Sequence, residues 1–443
     1  MDRTVANKDS ERRHPEVRLN TKKIREMLDA NNGARIRTWL NICASCGLCA
    51  ESCFVYLGND RNPKLSPAYK FRHTLGELYR RKGKVDEAFL KSCFDILWLQ
   101  CTLCKRCSMY CPFGIDVASM IALARGICHS QGVTPLSLVD FVENCRRTGN
   151  HMGLPLEELT DTCDWMVEEA ADAYQGVTIP IDKKGVKYMY TINPREPVYY
   201  PQDISYAAII FTVAEESWTL PSFGWDCTNL PMFAGDRALA GQMVRNVYET
   251  AQALGAEKIL ITECGHAYRS LAFEGPYLAG YPDGKPPVEV VHSVQLFYEY
   301  LRDGRIKIDP AKKIKEPVTF QDPCNVSRNG GLWDIARKII PYIAEEFRDM
   351  SPNRDENHCC GGGGGIMPMG PRYKPPRMLS GRVKAEQIRA TGAKIVIAPC
   401  HNCFDQIRDL SEEHELGVKV LSLKEILCET MLVPDKFKAA MAE

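Results

Sequence analysis

The sequence predicts an α/β protein with a mostly α-helical N-terminal third, and three observations carry that reading. Two four-cysteine runs share one spacing early in the chain, apolar residues fall at helical intervals between them, and the last two thirds repeat themselves with strands and helices alternating. The 443 residues are 45% hydrophobic, enough for two or three packed domains. Lys plus Arg (56) balance Asp plus Glu (56), so no global field favours nucleic acid. Apolar stretches such as 207–213 and 395–398 are far shorter than the ~20 residues of a membrane helix. Residues 1–20 are polar and lack the apolar core of a secretory signal, so a cytoplasmic chain is expected. In that setting 20 cysteines, many in C-x-x-C spacing, point to metal ligation and not to a disulfide framework.

Residues 1–35 read as an N-terminal extension whose Ile24, Met27 and Leu28 mark a short amphipathic helix packing onto the next domain. Residues 36–150 carry Cys43-Ala-Ser-Cys46-Gly-Leu-Cys49-Ala-Glu-Ser-Cys53 and Cys101-Thr-Leu-Cys104-Lys-Arg-Cys107-Ser-Met-Tyr-Cys111-Pro112. Both read C-x2-C-x2-C-x3-C, the spacing of bacterial ferredoxins, in which three cysteines wrap one [4Fe-4S] cube and the fourth reaches its neighbour. Cys43, Cys46, Cys49 and Cys111 are therefore expected to share one cluster, and Cys101, Cys104, Cys107 and Cys53 the other. Structural zinc uses paired knuckles and fits two full four-cysteine runs poorly. Phe54 stands where the first run would have proline, which weakens a turn but not a ligand set. Between the runs, Leu75, Leu78 and Tyr79, then Leu90, Phe94, Leu97 and Trp98, have helical spacing, with Gly83 as the break. Cys93, Cys128, Cys145, Cys163 and Cys428 read as buried apolar residues.

After a linker at 151–185, residues 186–305 and 315–435 read as two copies of one α/β unit. Gly255-Ala-Glu-Lys-Ile-Leu-Ile-Thr-Glu-Cys264-Gly-His266 parallels Gly392-Ala-Lys-Ile-Val-Ile-Ala-Pro-Cys400-His401-Asn-Cys403, and the stretch from Val288 parallels that from Val418. Strands alternating with helices favour parallel sheets, with chemistry at the carboxyl ends of the strands. The first copy places Asn193 or Pro194 opposite Cys324, Asp226 opposite Cys359 and Ala267 opposite Cys403, and keeps only Cys227 and Cys264. It should be scaffold; the leftover cysteine pair either faces the active site or, the reading preferred, is buried and inert.

Asp322-Pro323-Cys324, Cys359-Cys360-Gly361 and Pro399-Cys400-x-x-Cys403 are similar to the cysteine-rich "CCG" domain of heterodisulfide reductase subunits. With the two cubane motifs upstream, residues 35–435 resemble the D-type subunits of that family, and the pentaglycine run with its decayed first copy resembles the K-type subunits of the Dsr membrane complex. The resemblance implies an N-terminal α-helical, ferredoxin-like two-[4Fe-4S] domain followed by two CCG repeats. It also implies a noncubane [4Fe-4S] cluster on Cys324, Cys359, Cys360, Cys400 and Cys403.

Gly361 to Gly365 remove every Cβ beside the cysteine pair and permit close approach of backbone amides. The run lacks the Gly-Lys-Ser/Thr ending of a phosphate loop and is too embedded for a linker. A vicinal disulfide between Cys359 and Cys360 is disfavoured by the compartment and by three more cysteines in the same repeat. Arg328, His358 and His401 are candidates for charge and proton handling at the catalytic cysteines, with a structural hydrogen bond as the competing role for each histidine.

The function implied is a heterodisulfide reductase-like oxidoreductase held at the inner face of the membrane by partner subunits. It would take electrons from a haem b membrane subunit and reduce a disulfide or trisulfide on the sulfur-carrier protein DsrC in dissimilatory sulfur metabolism. The alternatives are an electron-transfer subunit of a glycolate or lactate oxidase-type complex, or a subunit that reduces the CoM-S-S-CoB heterodisulfide.

Overall fold

The computed structural model describes residues 16–31 and 33–439, so positions 1–15 of the expected extension lie outside the described residues. The chain forms two compact units. The first comprises the chain up to Glu143 with Leu230–Arg237 and His358–Lys384; the second comprises Asn144–Asn229, Ala238–Asn357 and Ala385–Glu443. Among the described residues, no helix is long and apolar enough to cross a membrane.

The first unit is helical. Asn20 caps the helix Thr21–Ala30 by accepting from the Lys23 amide at 2.9 Å, and the helix buries Ile24 and Leu28. The Tyr79 hydroxyl donates to the Leu28 carbonyl at 3.1 Å, tying this helix to the segment between the cysteine runs. That segment folds as the helices Pro67–Phe71 and Glu77–Arg80 joined by a π-turn at Arg72–Gly76, then Glu87–Phe94 running into a second π-turn at Asp95–Leu99. Gly83, at φ +72°, separates the two arms, and Leu75, Leu78, Leu90, Phe94, Leu97 and Trp98 are buried where their spacing predicts. The helix Val117–His129, capped by Asp116, runs through the interior.

The second unit holds two parallel sheets. β1 (Tyr188–Thr191), β2 (Trp218–Thr219), β3 (Lys258–Ile261) and β4 (Glu289–His292) take the order β2-β1-β3-β4. β5 (Val318–Phe320), β6 (Ile395–Ile397) and β7 (Lys419–Leu421) take the order β5-β6-β7. The neighbours β1, β3 and β4 thus follow the same sequence as β5, β6 and β7. The turns agree as well. The Cys264 amide donates to the Thr262 carbonyl at 2.6 Å after β3, and the Cys400 amide to the Ala398 carbonyl at 2.8 Å after β6. The helices after β4 and β7 each open on a capping box, His292 with Gln295 and Ser422 with Glu425. Tyr190, Leu260, Phe320, Ile397 and Leu421 from the two sheets lie in one core, packed by Phe211, Phe297, Ile339 and Leu427 from the helices.

Candidate functional site

In the first unit the two cysteine runs adopt the same loop. Ser45 and Gly47 have φ of 54° and 86°, and Leu103 and Lys105, at the equivalent places, 58° and 62°. Left-handed residues on each side of the second cysteine curl the chain around one point, and each loop then enters a short helix, Leu48–Glu51 or Arg106–Met109. Burial raises the Cys49 thiol to about 11, and Cys43, Cys111 and Cys53 push it the same way while the Ala68 amide opposes. Cys107 is held well above its usual range by burial, then by Cys104, Cys53, Cys101 and Cys49. Cys53, Cys101, Cys104 and Cys107 line one cavity, together with Lys70 and Val117. So many thiols packed together disfavour one another's ionisation, and a cationic iron core reverses that penalty; the donor set fits a four-iron group.

Two buried cations serve the second loop. Lys70 Nζ lies 3.8 Å from Cys53 Sγ and donates to the Gln100 carbonyl at 2.6 Å. Arg125, fully buried, donates to four carbonyls: Leu97 at 2.9 Å, Phe233 at 2.8 Å, Gly364 at 2.7 Å and Cys101 at 2.7 Å. Through Arg125 the second loop is fastened to the pentaglycine run.

The vicinal cysteines sit against that loop. Thr102 Oγ1 lies 3.4 Å from Cys359 Sγ, and the amides of Gly361 and Gly362 donate to the sulfurs of Cys359 and Cys360 at 3.4 and 3.5 Å. Gly364, at φ +69°, passes so close that a Cβ there would meet the Thr102 carbonyl oxygen at 2.6 Å. The run is therefore required by contact as well as conformation.

Cys324, Cys400 and Cys403 belong to the second unit. The Asp322 carboxylate, at the carboxyl end of β5, accepts two bonds from Arg337 at 2.7 and 2.8 Å and one from the Arg354 amide at 2.7 Å, fixing the turn into Cys324. Arg328 donates to the carbonyls of Asp355, at 2.6 Å, and Asn357, so this guanidinium pins the backbone leading to His358. Gln321 Nε2 reaches Cys403 Sγ at 3.9 Å. A hydrogen bond with Cys403 brings the Cys400 thiol down to about 6 against the pull of burial, helped by the Gly265 and Cys403 amides and by His401. This thiolate is ready-made for a metal.

His401 Nε2 bonds Asp203 at 2.8 Å and faces Glu196 at 3.5 Å, while Lys424 Nζ lies 3.2 Å from each of these carboxylates. Glu196, Asp203 and His401 have the spacing of a cation site, and the ammonium of Lys424 already supplies the positive charge. Glu263 accepts from the Leu423 and Lys424 amides at 3.0 and 2.6 Å, and burial, opposed by Lys424 and those amides, lifts its carboxyl to about 7. Burial pulls the His401 imidazole down, but Glu196 and Asp203 outweigh it and raise it to about 9. The raised value means stability that is whole below pH 6.5 and is lost as pH climbs through 9. Thermal unfolding should show a melting point falling by a few degrees across that window, and His401→Gln should flatten the fall; an unchanged slope would refute it.

In the first copy, Cys227 and Cys264 share a hydrogen bond, and burial with that bond holds the Cys227 thiol well above its usual value. Asp226 accepts from the amide and Nδ1 of His151, both at 3.0 Å, which fills that place with a buried pair. Asn402 donates to His266 Nδ1 at 3.3 Å. Arg125, Lys70, Glu263 and Lys424 carry no recognisable motif; the one available signal is Arg125 standing in the otherwise apolar helix sequence VASMIALARGICH.

Residues 39–115 match the 4Fe-4S dicluster domain and residues 318–408 the cysteine-rich domain called CCG. The chain is 27% identical over 436 residues to the Hdr-like menaquinol oxidoreductase iron-sulfur subunit 2 of Archaeoglobus fulgidus, covering 85% of this chain and 76% of that one. It is 23% identical over 412 residues to the D-type subunit of the dihydromethanophenazine:CoB–CoM heterodisulfide reductase of Methanosarcina barkeri, covering 88% and 94%. An EtfAB:quinone oxidoreductase of Syntrophomonas wolfei is 22% identical over 447 residues, and 58% of its length is spanned. These names correspond to D-type and Hdr-like subunits and do not single out the K-type branch. The chain thus joins a 4Fe-4S dicluster domain to a cysteine-rich domain, and over most of its length it is similar to heterodisulfide reductase-like oxidoreductase subunits.

Proposed function

We propose that this chain is the disulfide-reducing subunit of a quinol-linked complex. Cys43, Cys46, Cys49 and Cys111 would hold one [4Fe-4S] cubane, and Cys101, Cys104, Cys107 and Cys53 the other. Cys324, Cys359, Cys360, Cys400 and Cys403 would hold a noncubane [4Fe-4S] group. When bound, these groups supply single-electron transfer and an iron able to take a substrate sulfur.

The observation that carries the reading is Thr102 Oγ1 lying against Cys359 Sγ, because it joins the second cysteine loop to the vicinal pair. The Gly361 and Gly362 amides donate to both sulfurs, and Arg125 keeps the glycine run seated beside the loop. The net reaction is RSSR′ + 2e⁻ + 2H⁺ → RSH + R′SH. His358 and Arg328 stand by Cys359 and Cys324 in sequence as the groups to orient an anionic substrate or deliver a proton. The two CCG-like sheets fit a division of labour in which 315–435 is the working repeat and 186–305, with Asp226 and Ala267 in place of ligands, is scaffold.

The names of the relatives favour a heterodisulfide substrate over the carrier protein DsrC, and a menaquinol-linked donor; the partner proposed to carry that donor is a haem b membrane subunit. Localisation at the inner membrane face would follow from that partner. The quinone oxidoreductase relative favours a second reading, electron transfer without disulfide chemistry.

One experiment separates them. The iron-loaded chain with reduced viologen should consume CoM-S-S-CoB, with the DsrC disulfide as a second substrate to rank against it. Cys359→Ser should abolish turnover while low-temperature EPR retains both cubane signals. About twelve iron per chain are expected, against about eight if only two cubanes at ~4 each are present. A fully loaded chain that consumes no disulfide would leave the electron-transfer reading standing.

A further inference from the structure

The two cysteine loops of the first unit differ in exposure. Around the second, Thr102, Leu103 and Arg106 are buried. Around the first, Cys46 is exposed with Ile42 (40% exposed) and Leu48 (50%) close to it in sequence, and Met109 (40%) and Phe113 (43%) stand out on either side of Cys111, which acts on Cys49. Met109 and Phe113 flank Cys111, so both sequence runs contribute to one apolar surround. Scattered apolar residues on a surface mean little, but four of them beside the members of one expected ligand set form a patch.

A groove of about 950 Å³ leads up to this loop. Arg25, Arg37, Arg72, Arg80, Lys82 and Lys84 line it, against the acids Asp29 and Glu77. Glu77 is already engaged by Arg80 and Arg81. Arg25, Arg37, Lys82 and Lys84 have no ion pair among the described residues. Arg72 joins groove to loop, donating to Ser45 Oγ at 2.8 Å and to the Cys43 carbonyl at 2.6 Å. A chain with balanced total charge therefore concentrates unpaired cations at one place, next to the outward-facing cysteine loop.

We propose that this face is the docking surface for an acidic electron-carrier protein, with Ile42, Leu48, Met109 and Phe113 as its apolar centre and the groove cations as its steering rim. An apolar centre within a charged rim is the usual anatomy of a transient protein interface. A lipid headgroup layer satisfies the charge but offers no electron to the loop. With a [4Fe-4S] group held by Cys43, Cys46, Cys49 and Cys111, each encounter would pass one electron from the partner, oxidised by one, to that group, reduced by one, with no bond broken and no proton transferred. The inference rests on the reading that this ligand set is redox-active, but not on what the vicinal cysteines reduce.

The probe is an acidic [2Fe-2S] ferredoxin, tested with the full iron-loaded chain. Calorimetry should give a Kd that weakens about tenfold between about 50 and about 300 mM salt, and about tenfold again in Arg37→Glu/Lys82→Glu. Phe113→Ser should weaken binding without changing the salt slope. Reduction by dithionite, and disulfide turnover with viologen, should be unaffected in these variants. Binding indifferent to salt and to charge reversal would overturn the proposal. So would phosphatidylglycerol vesicles binding in a charge-dependent way while ferredoxin does not bind. If viologen-driven turnover is absent while ferredoxin binding behaves as described, the disulfide reading fails and the docking surface stands.

Discussion

Replacing Arg125 with Met is expected to destabilise the helical unit by roughly 4 kcal/mol, since the guanidinium satisfies four buried carbonyls and each one stranded costs about 1–3 kcal/mol. The methionine keeps the aliphatic volume and so isolates the polar loss from a packing loss. Two of the four carbonyls belong to Cys101 and Gly364, so the damage falls where the second cysteine loop meets the glycine run. Denaturation of the iron-loaded chain, followed by iron–sulfur absorbance, should move to clearly lower urea. Arg125→Lys, which keeps the charge but not the fork of donors, should fall between the two. Stability equal to the parent would mean that the carbonyls find other partners and the clamp is incidental.

Lys70→Met should lower the midpoint potential of the group that Cys53, Cys101, Cys104 and Cys107 would hold by roughly 130 mV. A buried ammonium about 5 Å from a charge that changes by one unit contributes roughly 3 kcal/mol at an effective dielectric of ~20. For a one-electron couple ~1.4 kcal/mol corresponds to 59 mV. The geometry behind the estimate is Lys70 Nζ at 3.8 Å from Cys53 Sγ, with Lys70 and Arg125 the two cations that offset burial at Cys101. EPR-monitored redox titration should find that potential lowered and the other cubane nearly unmoved, because Arg72, the cation at the first loop, is exposed to solvent and screened. Lys70→Arg should restore most of the shift. A potential that stays put would remove Lys70 from the tuning of the site.

What the sequence disclosed follows from how locally each feature is encoded. The cysteine loops are legible because wrapping a cube needs fixed short spacing, and the similar positive φ values of Ser45 and Leu103 follow from it. Helices around Leu78 and Phe94 are legible from their apolar faces. The π-turns at Arg72–Gly76 and Asp95–Leu99 are not, because one extra residue per turn barely disturbs the spacing of Leu75 and Leu78 or of Phe94 and Trp98. The alternation of strands and helices follows from the repeat, but the edge strand β2, which has no counterpart in the second sheet, does not. The buried ions do not, since Lys424 reading Glu196 and Asp203, or Arg125 reading Gly364, are pairings between distant positions that leave no periodic trace. Likewise, aligning Cys359 with Asp226 gives no hint that His358–Lys384 folds with the helical unit.

That last assignment bears on how the molecule is made. The helical unit contains the earliest motif in the chain, yet two of its pieces, Leu230–Arg237 and His358–Lys384, are translated much later. Phe233 and Gly364 supply half of the carbonyls that Arg125 bonds when buried, so this arginine cannot be buried with all four partners until residue 364 has emerged. Iron loading of the second cysteine loop should accordingly be a post-translational event, and fragments ending near residue 150 should aggregate rather than mature.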